Sequence, residues 1–272
     1  MTSTTLPRFK LTPDIAAWRG GAGPSLVLIH GVGLNGDAWY AMLPELVSRF
    51  TVTVVDMPGH GESDPIRDVK QPTLDDFTSR IADALELCDG PSVVVGHSMG
   101  ALIAMQLAVQ VPDLVSGAVP LNSIFRRTNA AATAVQSRAM EIGKATQVDH
   151  SETLARWFAQ NPEGAMQIAA NRCDDMLRST PIPAYAAAYS VFAHSDGPTD
   201  QALRETAVPM LFMTGENEPN STPAMSHSLA QLAPNSQSVI IDGARHMMPM
   251  SHADEVNQHI ISFIQNKVFS DG

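Results

Sequence analysis

Cysteine is nearly absent from the chain, which has only Cys88 and Cys173 in 272 residues. The two lie far apart and outside any CxxC or Cys/His spacing, which argues against a disulfide framework and against a zinc site. Both are expected to be buried thiols. Basic residues are also scarce: 17 Lys and Arg stand against 28 Asp and Glu, for a formal net charge of -11. A general affinity for nucleic acid or for an anionic membrane would have to overcome that repulsion. Long apolar runs are missing as well. Residues 26–29 are typical of those present and are too short to span a bilayer, and the opening MTSTTLPRFK lacks the apolar stretch of a secretion signal. A cytoplasmic protein with no nucleic-acid and no membrane partner is the expectation. Fixed-period repeats are lacking too, and only the alanine-rich patch at 129–134 approaches low complexity.

What is present is an ordinary globular composition, 44% hydrophobic and 17% charged with 18 glycines, sufficient to bury a core. The length suits one α/β unit carrying an insertion. Short aliphatic and β-branched runs at 26–29, 52–55, 93–95, 115–121, 210–213 and 239–241 alternate with amphipathic stretches. That is the pattern of strands feeding crossover helices in a mostly parallel sheet. Thr73 before Leu74, Asp75 and Asp76 reads as a helix start, a hydroxyl N-cap with carboxylates at the positive end of the dipole. This helix should run to about Cys88. Further helices are expected at 99–111, stopped by Pro112, and at 223–232 and 253–264. Residues 123–200 break the rhythm, with helical periodicity and no strand. They are expected to form an inserted helical cap on a core made of 1–122 and 201–272, with Pro181-Ile182-Pro183 joining two cap helices and Gly197-Pro198 marking the return.

The element richest in chemistry is Gly96-His97-Ser98-Met99-Gly100, a G-x-S-x-G sequence after an apolar strand and before a helix. A serine on so tight a turn sits in a strained conformation, and the positions two before and two after must be small; glycine meets that demand. The turn exposes the hydroxyl of Ser98, the candidate nucleophile, and aims the first N–H groups of the helix at the same point. His30-Gly31-Val32-Gly33 follows the strand at 26–29. Its glycines permit a sharp turn, and the N–H groups of Val32 and Met99 are the expected pair of donors for an oxyanion. His30 itself is expected to be a packed loop residue.

With Asp56-Met57-Pro58-Gly59-His60-Gly61-Glu62-Ser63 added, a D-x-P-G-x-G-x-S turn, the chain resembles the α/β-hydrolase superfamily over nearly its whole length. Trp39 matches a frequent aromatic position that packs. The resemblance implies a mostly parallel twisted sheet flanked by helices, with an inserted helical cap, and a chain order of nucleophile, acid, histidine. His246, in Asp242-Gly243-Ala244-Arg245-His246 before the final helix, matches the family's base; His252 and His259 fall at or within that helix. At the acid the pattern departs: where the family has G-x-x-D, this chain reads Gly215-Glu216-Asn217-Glu218-Pro219. Glu218 is the expected acid, with Glu216 the rival, since Ser-His-Glu arrangements are accepted variants. The family's alternative acid position is filled by Asn122, which has no charge.

Substrate signals are thinner. Arg126 and Arg127 open the cap segment, and either could hold a substrate carboxylate or be a solvated helix start. Arg172 is a weaker candidate. Trp157, Phe158, Tyr185, Tyr189 and Phe192 could line an apolar pocket or pack in the core, and Met99, Met247, Met248 and Met250 could serve either purpose. No metal or organic cofactor is implied, because no Gly-rich dinucleotide loop stands in a βαβ setting. The resemblance implies hydrolysis of a small to medium carboxylic ester or lactone through an acyl-enzyme, because the capped members of that superfamily include esterases and enol-lactonases. A carbon-carbon bond hydrolase or cofactor-free perhydrolase with the same triad remains open, as does a non-catalytic ligand receptor on the same fold.

Overall fold

The computed structural model describes residues 6–268. Its elements follow in the order β1 (Phe9–Lys10), β2 (Ala16–Gly20), β3 (Ser25–Ile29), α1 (Leu43–Leu46), β4 (Thr51–Val55), α2 (Leu74–Leu85), β5 (Ser92–His97), α3 (Met99–Gln110), β6 (Val115–Leu121), α4 (Asn129–Lys144), α5 (Ser151–Phe158), α6 (Gly164–Ser179), α7 (Ile182–Ala193), α8 (Asp200–Glu205), β7 (Met210–Gly215), α9 (Pro223–Leu232), β8 (Ser236–Ile241), α10 (Met248–Ser251) and α11 (Ala253–Phe263). The strands form one sheet in the order β1-β2-β4-β3-β5-β6-β7-β8. The first two strands are antiparallel and the rest run parallel from β4 to β8. This is the α/β-hydrolase fold.

The unbroken apolar runs are explained by the two faces of the sheet. Along β3, Leu26 and Leu28 enter one core while Val27 and Ile29 enter the other; Val93 and Val95 against Val94 in β5, and Leu211 and Met213 against Met210 and Phe212 in β7, divide in the same way. Successive strand side chains point to opposite faces, so a strand covered on both sides must be apolar at every position. One face is covered by Phe77 and Ile81 of α2, Leu102 and Ile103 of α3 and Leu229 of α9; the other by Leu46 of α1 and by Val256, Ile260 and Phe263 of α11.

All six runs read from the sequence are strands. Two further strands escaped that reading, because β1 is two residues long and β2 is Ala-Ala-Trp-Arg-Gly, neither of which is an apolar run. Thr73 caps α2 through a capping box with Asp76. The helix stops at Leu85, short of Cys88, where bonds from Leu87 N to Ala84 O and from Cys88 N to Leu85 O tighten the last turn. Cys88 is half-buried rather than buried, while Cys173 is fully enclosed.

Between β6 and β7 the chain forms α4 to α8 and no strand among the described residues. Phe158 of α5 and Ala169, Cys173 and Met176 of α6 pack with Leu34, Met247 and Met250. These helices therefore lie over the loops that leave the carboxyl ends of β3 and β8.

The turn after β4 is held by a buried charge. Asp56 accepts hydrogen bonds from Arg8 Nε at 3.0 Å, Gly36 N at 2.8 Å and Glu62 N at 3.0 Å. Both side chains of the Arg8–Asp56 pair are almost wholly enclosed, at 3% and 0% exposure. Removing one member of such a pair leaves the other charge buried without compensation. Asp56→Ala is expected to lower folding stability by about 3 to 5 kcal/mol in urea unfolding. A loss under about 1 kcal/mol would show that the pair is not a structural anchor.

Candidate active site

Five parallel strands end at one edge of the sheet, and each passes a distinct group to the crevice outside it, which is where ligands bind in open α/β sheets. β3 leads to Gly31 and Val32, β5 to Ser98, β6 to Asn122, β7 to Glu218 and β8 to His246.

Ser98 has φ 58° and ψ -115°, a left-handed conformation that costs a side-chain-bearing residue free energy. The flanking glycines are obligatory. A Cβ on Gly96 would lie 1.9 Å from the Gly100 carbonyl oxygen, and one on Gly100 would lie 2.2 Å from that of Ile29. The Ser98 N–H is tied to Leu121 O at 2.9 Å, so the bend is fixed against β6.

His246 donates from Nδ1 to Glu218 Oε2 at 2.9 Å. The other carboxylate oxygen accepts from Asn220 N at 2.8 Å and Ser221 N at 3.2 Å. Burial alone would raise the Glu218 pKa, but His246 and those two N–H groups outweigh it and hold the carboxyl below the usual range. The rival Glu216 is spent elsewhere, accepting from Gly243 N at 3.0 Å. The main-chain oxygen of His246 is itself held, by Asn122 Nδ2 and by His97 Nε2. Asn122 Oδ1 accepts in turn from Gly215 N at 3.3 Å.

The loop after β3 is pinned by two buried imidazoles. His30 accepts from Met57 N at 2.9 Å and donates to Gly31 O; His60 accepts from Gly33 N at 3.0 Å and donates to Pro58 O. An accepting ring nitrogen must be unprotonated. Burial accordingly pushes His30 down to about 3 and His60 to about 4.

Ser98, His246, Gly31 and Val32 line a cavity of about 530 Å³. Its opposite wall comes from the helical insertion and includes Arg138, Arg156, Trp157 and Tyr189. Among the described residues no group of three His, Cys, Asp or Glu side chains is arranged to hold a metal ion, and no helix is long and apolar enough to cross a membrane.

Residues 26–259 match the Alpha/beta hydrolase family. The chain belongs to this family. The hydrolase is 35% identical over 246 residues to the (E)-2-((N-methylformamido)methylene)succinate hydrolase of Acinetobacter baylyi, covering 90% of this chain and 92% of that one. It is 29% identical over 252 residues to a pimeloyl-[acyl-carrier protein] methyl ester esterase of Xanthomonas oryzae pv. oryzae, covering 90% and 96%. The crystal structure of the enol-lactonase from Burkholderia xenovorans LB400 superimposes with a TM-score of 0.81 at 21% identity, covering 95% of this chain and 100% of that one.

The arginines differ from the sequence reading. Arg126 is exposed, pairs with Asp200 and stacks on Phe125, away from the cavity. Its backbone stands at a φ of 49°. Arg127 does line the cavity, but its guanidinium is occupied by Ala193 O, Phe192 O, Ser195 O and Asp196. It clamps the end of α7 rather than awaiting a ligand. Arg172 lies over the Tyr40 ring, 4.1 Å from its centroid, and outside the cavity wall. Trp157, Tyr185, Tyr189 and Phe192 face the cavity, whereas Phe158 and Met99, Met247, Met248 and Met250 are core residues. Arg138, Arg156 and the structural use of Asn122 were not foreseen. The one available signal was the position of Arg156 beside Trp157, an aromatic already singled out.

The buried histidines make stability depend on acidity. His30, His60 and His97 remain neutral in the hydrolase down to about pH 3, 4 and 3, whereas the unfolded chain binds protons at these positions below about 6.5. Their contribution is complete above 6.5 and is lost as the pH falls toward 4, by up to roughly 1.4 kcal/mol per histidine per pH unit. Glu218, also depressed, adds a loss of the same sign at lower pH. Urea midpoints should fall steeply between pH 7 and 5; a flat profile would mean that these rings are not held neutral.

Proposed function

We propose that this hydrolase is a serine esterase or lactonase working through an acyl-enzyme on Ser98, and that its small to medium substrate carries a carboxylate. The observation that carries the reading is that Ser98, on its strained bend, and His246, bonded through Nδ1 to Glu218, line one cavity. A serine hydroxyl is not nucleophilic at neutral pH until a base accepts its proton. With Nδ1–H committed to the Glu218 carboxylate, the lone pair lies on Nε2, which takes the proton from Ser98. Oγ attacks the substrate carbonyl, and the oxyanion is stabilised by the N–H groups of Val32 and Met99. The first belongs to the cavity wall, and the second opens α3 and has no acceptor within its helix. The imidazolium then protonates the departing alcohol, and water repeats the sequence on the acyl-enzyme. Glu218 stays ionised throughout and balances the imidazolium charge. On this reading residues 123–200 are the cap that closes over the serine.

The carboxylate is inferred from the opposite wall. Arg138 is paired with Glu141, while Arg156 has no hydrogen-bond or ion-pair partner among the described residues. A guanidinium facing a reaction cavity is suited to bidentate recognition of a carboxylate. The Acinetobacter baylyi relative is named for action on a substituted succinate, a dicarboxylate. That likeness, together with the unpartnered Arg156, favours an anionic acyl substrate.

Two experiments test this. A fluorophosphonate probe should label Ser98 in the wild-type protein, and Ser98→Ala should lose the label and at least about a thousandfold in turnover. Glu218→Gln should lose on the order of a hundredfold or more. An unlabelled wild-type chain that binds but does not turn over acyl compounds would be a receptor. Separately, Arg156→Ala should raise KM for a succinate monoester by about 10- to 100-fold while changing KM for the neutral diester by less than about twofold. Equal effects on both would remove Arg156 as the carboxylate partner.

A further inference from the structure

The insertion reaches the base itself as well as the cavity wall. Trp157 of α5 lies nearly flat against the His246 imidazole, with ring centroids 5.1 Å apart and planes inclined by 26°. The His97 ring stands 4.8 Å from the same imidazole at 54°. Glu218 holds Nδ1, and Asn122 and His97 hold the main-chain oxygen. The bond at Nδ1 restrains the ring at one edge only, and the bonds to the main-chain oxygen do not touch it, which leaves the imidazole some freedom to rock about Cβ–Cγ. A flat aromatic surface removes that freedom.

Resting on the assignment of Ser98 and His246 as nucleophile and base, we propose that Trp157 is a positioning residue that holds the His246 ring in plane and stabilises the imidazolium formed as Ser98 gives up its proton. The second effect follows from the negative face of the indole, which attracts a cation stacked on it. Glu218 and His97 are in contact with the imidazole, and the other charged groups lining the same cavity are Arg127, Arg138, Glu141 and, from α5, Arg156 and Glu152. The two on α5 are of opposite sign, so the helix brings an aromatic face and no net charge to the base. Because Trp157 belongs to the insertion and His246 to the loop after β8, alignment of the base depends on where α5 sits. Trp157 also packs with the cluster of Phe158, Cys173 and Met247, which seats α5 at that height.

The test compares Trp157→Leu, which removes the face, with Trp157→Phe, which restores one, after both are checked for native circular dichroism. In Trp157→Leu, kcat for a neutral chromogenic ester and the rate of fluorophosphonate labelling should both fall by about tenfold, the order of a desolvated cation–π contact. KM should move less than about twofold, and Trp157→Phe should recover most of the loss. Tryptophan emission of the wild type should differ from that of His246→Gln, and the difference should vanish in a Trp157→Phe background. Wild-type labelling and kcat in Trp157→Leu, or a loss confined to KM, would overturn the proposal and leave Trp157 as a pocket wall. An emission profile identical in wild type and His246→Gln would also overturn it. Should the wild type fail to label at all, the assignment of Ser98 fails, and the emission comparison still decides whether the stack exists.

Discussion

Everything at the carboxyl edge of the sheet depends on one backbone crossing, where β5 turns into α3 and passes over the end of β3. Gly96 and Gly100 are in contact there, and Gly100 rests against Ile29 O, at separations that leave no room for a Cβ. The crossing forces Ser98 to φ 58°, a strain of about 1 to 3 kcal/mol that persists only where the surroundings determine the conformation. They do so here. β5 is paired on both sides, with β3 and β6, and α3 is enclosed by the core along most of its length. The same crossing brings the N terminus of α3 beside the loop after β3, so the exposed bend at Ser98 and the N–H groups next to it are consequences of a single packing event.

A second layer of the structure supplies acceptors where the loops have stray donors. Met57 N and Gly33 N lie in tight turns and donate to no carbonyl; the neutral rings of His30 and His60 accept from them. His97 and Asn122 serve the mirror purpose for His246 O. Three histidines kept neutral, and one carboxylate kept ionised beside a fourth, are thus arranged by the same rule: each buried polar atom must be matched in the protonation state it adopts. The loop bearing His246 is consequently anchored at its main chain, at its side chain through Glu218, and at Gly243 through Glu216.

The strands that cross the core were legible because burial on both faces leaves a run with no polar position, and the bend at Ser98 because its steric demand is written in adjacent residues. Glu218 could be told from Glu216 only weakly in sequence; the fold separates them by giving one carboxylate the imidazole and the other a loop N–H. β1 and β2 were illegible since an antiparallel edge needs neither length nor an apolar run. Arg126 and Arg127 are neighbours with identical side chains, yet the first forms an exposed ion pair and the second clamps the end of α7, a difference set by tertiary partners that no local pattern carries. Arg138 and Arg156 are 18 positions apart on different helices, and no local pattern foretells that both meet one cavity. Asn122 was read as a missing charge, although its amide does what a carboxylate could not do, donating to one carbonyl while accepting from a main-chain N–H.

The sign of the whole chain and the sign of its cavity answer different questions. A net charge of -11 acts on a large polyanion over its whole length, but salt screens exposed charges beyond about 8 Å at physiological ionic strength. A small acid that has entered the cavity feels the guanidinium groups within bonding distance far more than carboxylates on the remote surface. The insertion places Arg138 and Arg156 across from Ser98 while spending Arg126 and Arg127 on its own junctions with the core. An acidic protein can therefore repel polyanions at a distance and still present cations inside a cavity, here Arg127, Arg138 and Arg156 alongside Glu141 and Glu152.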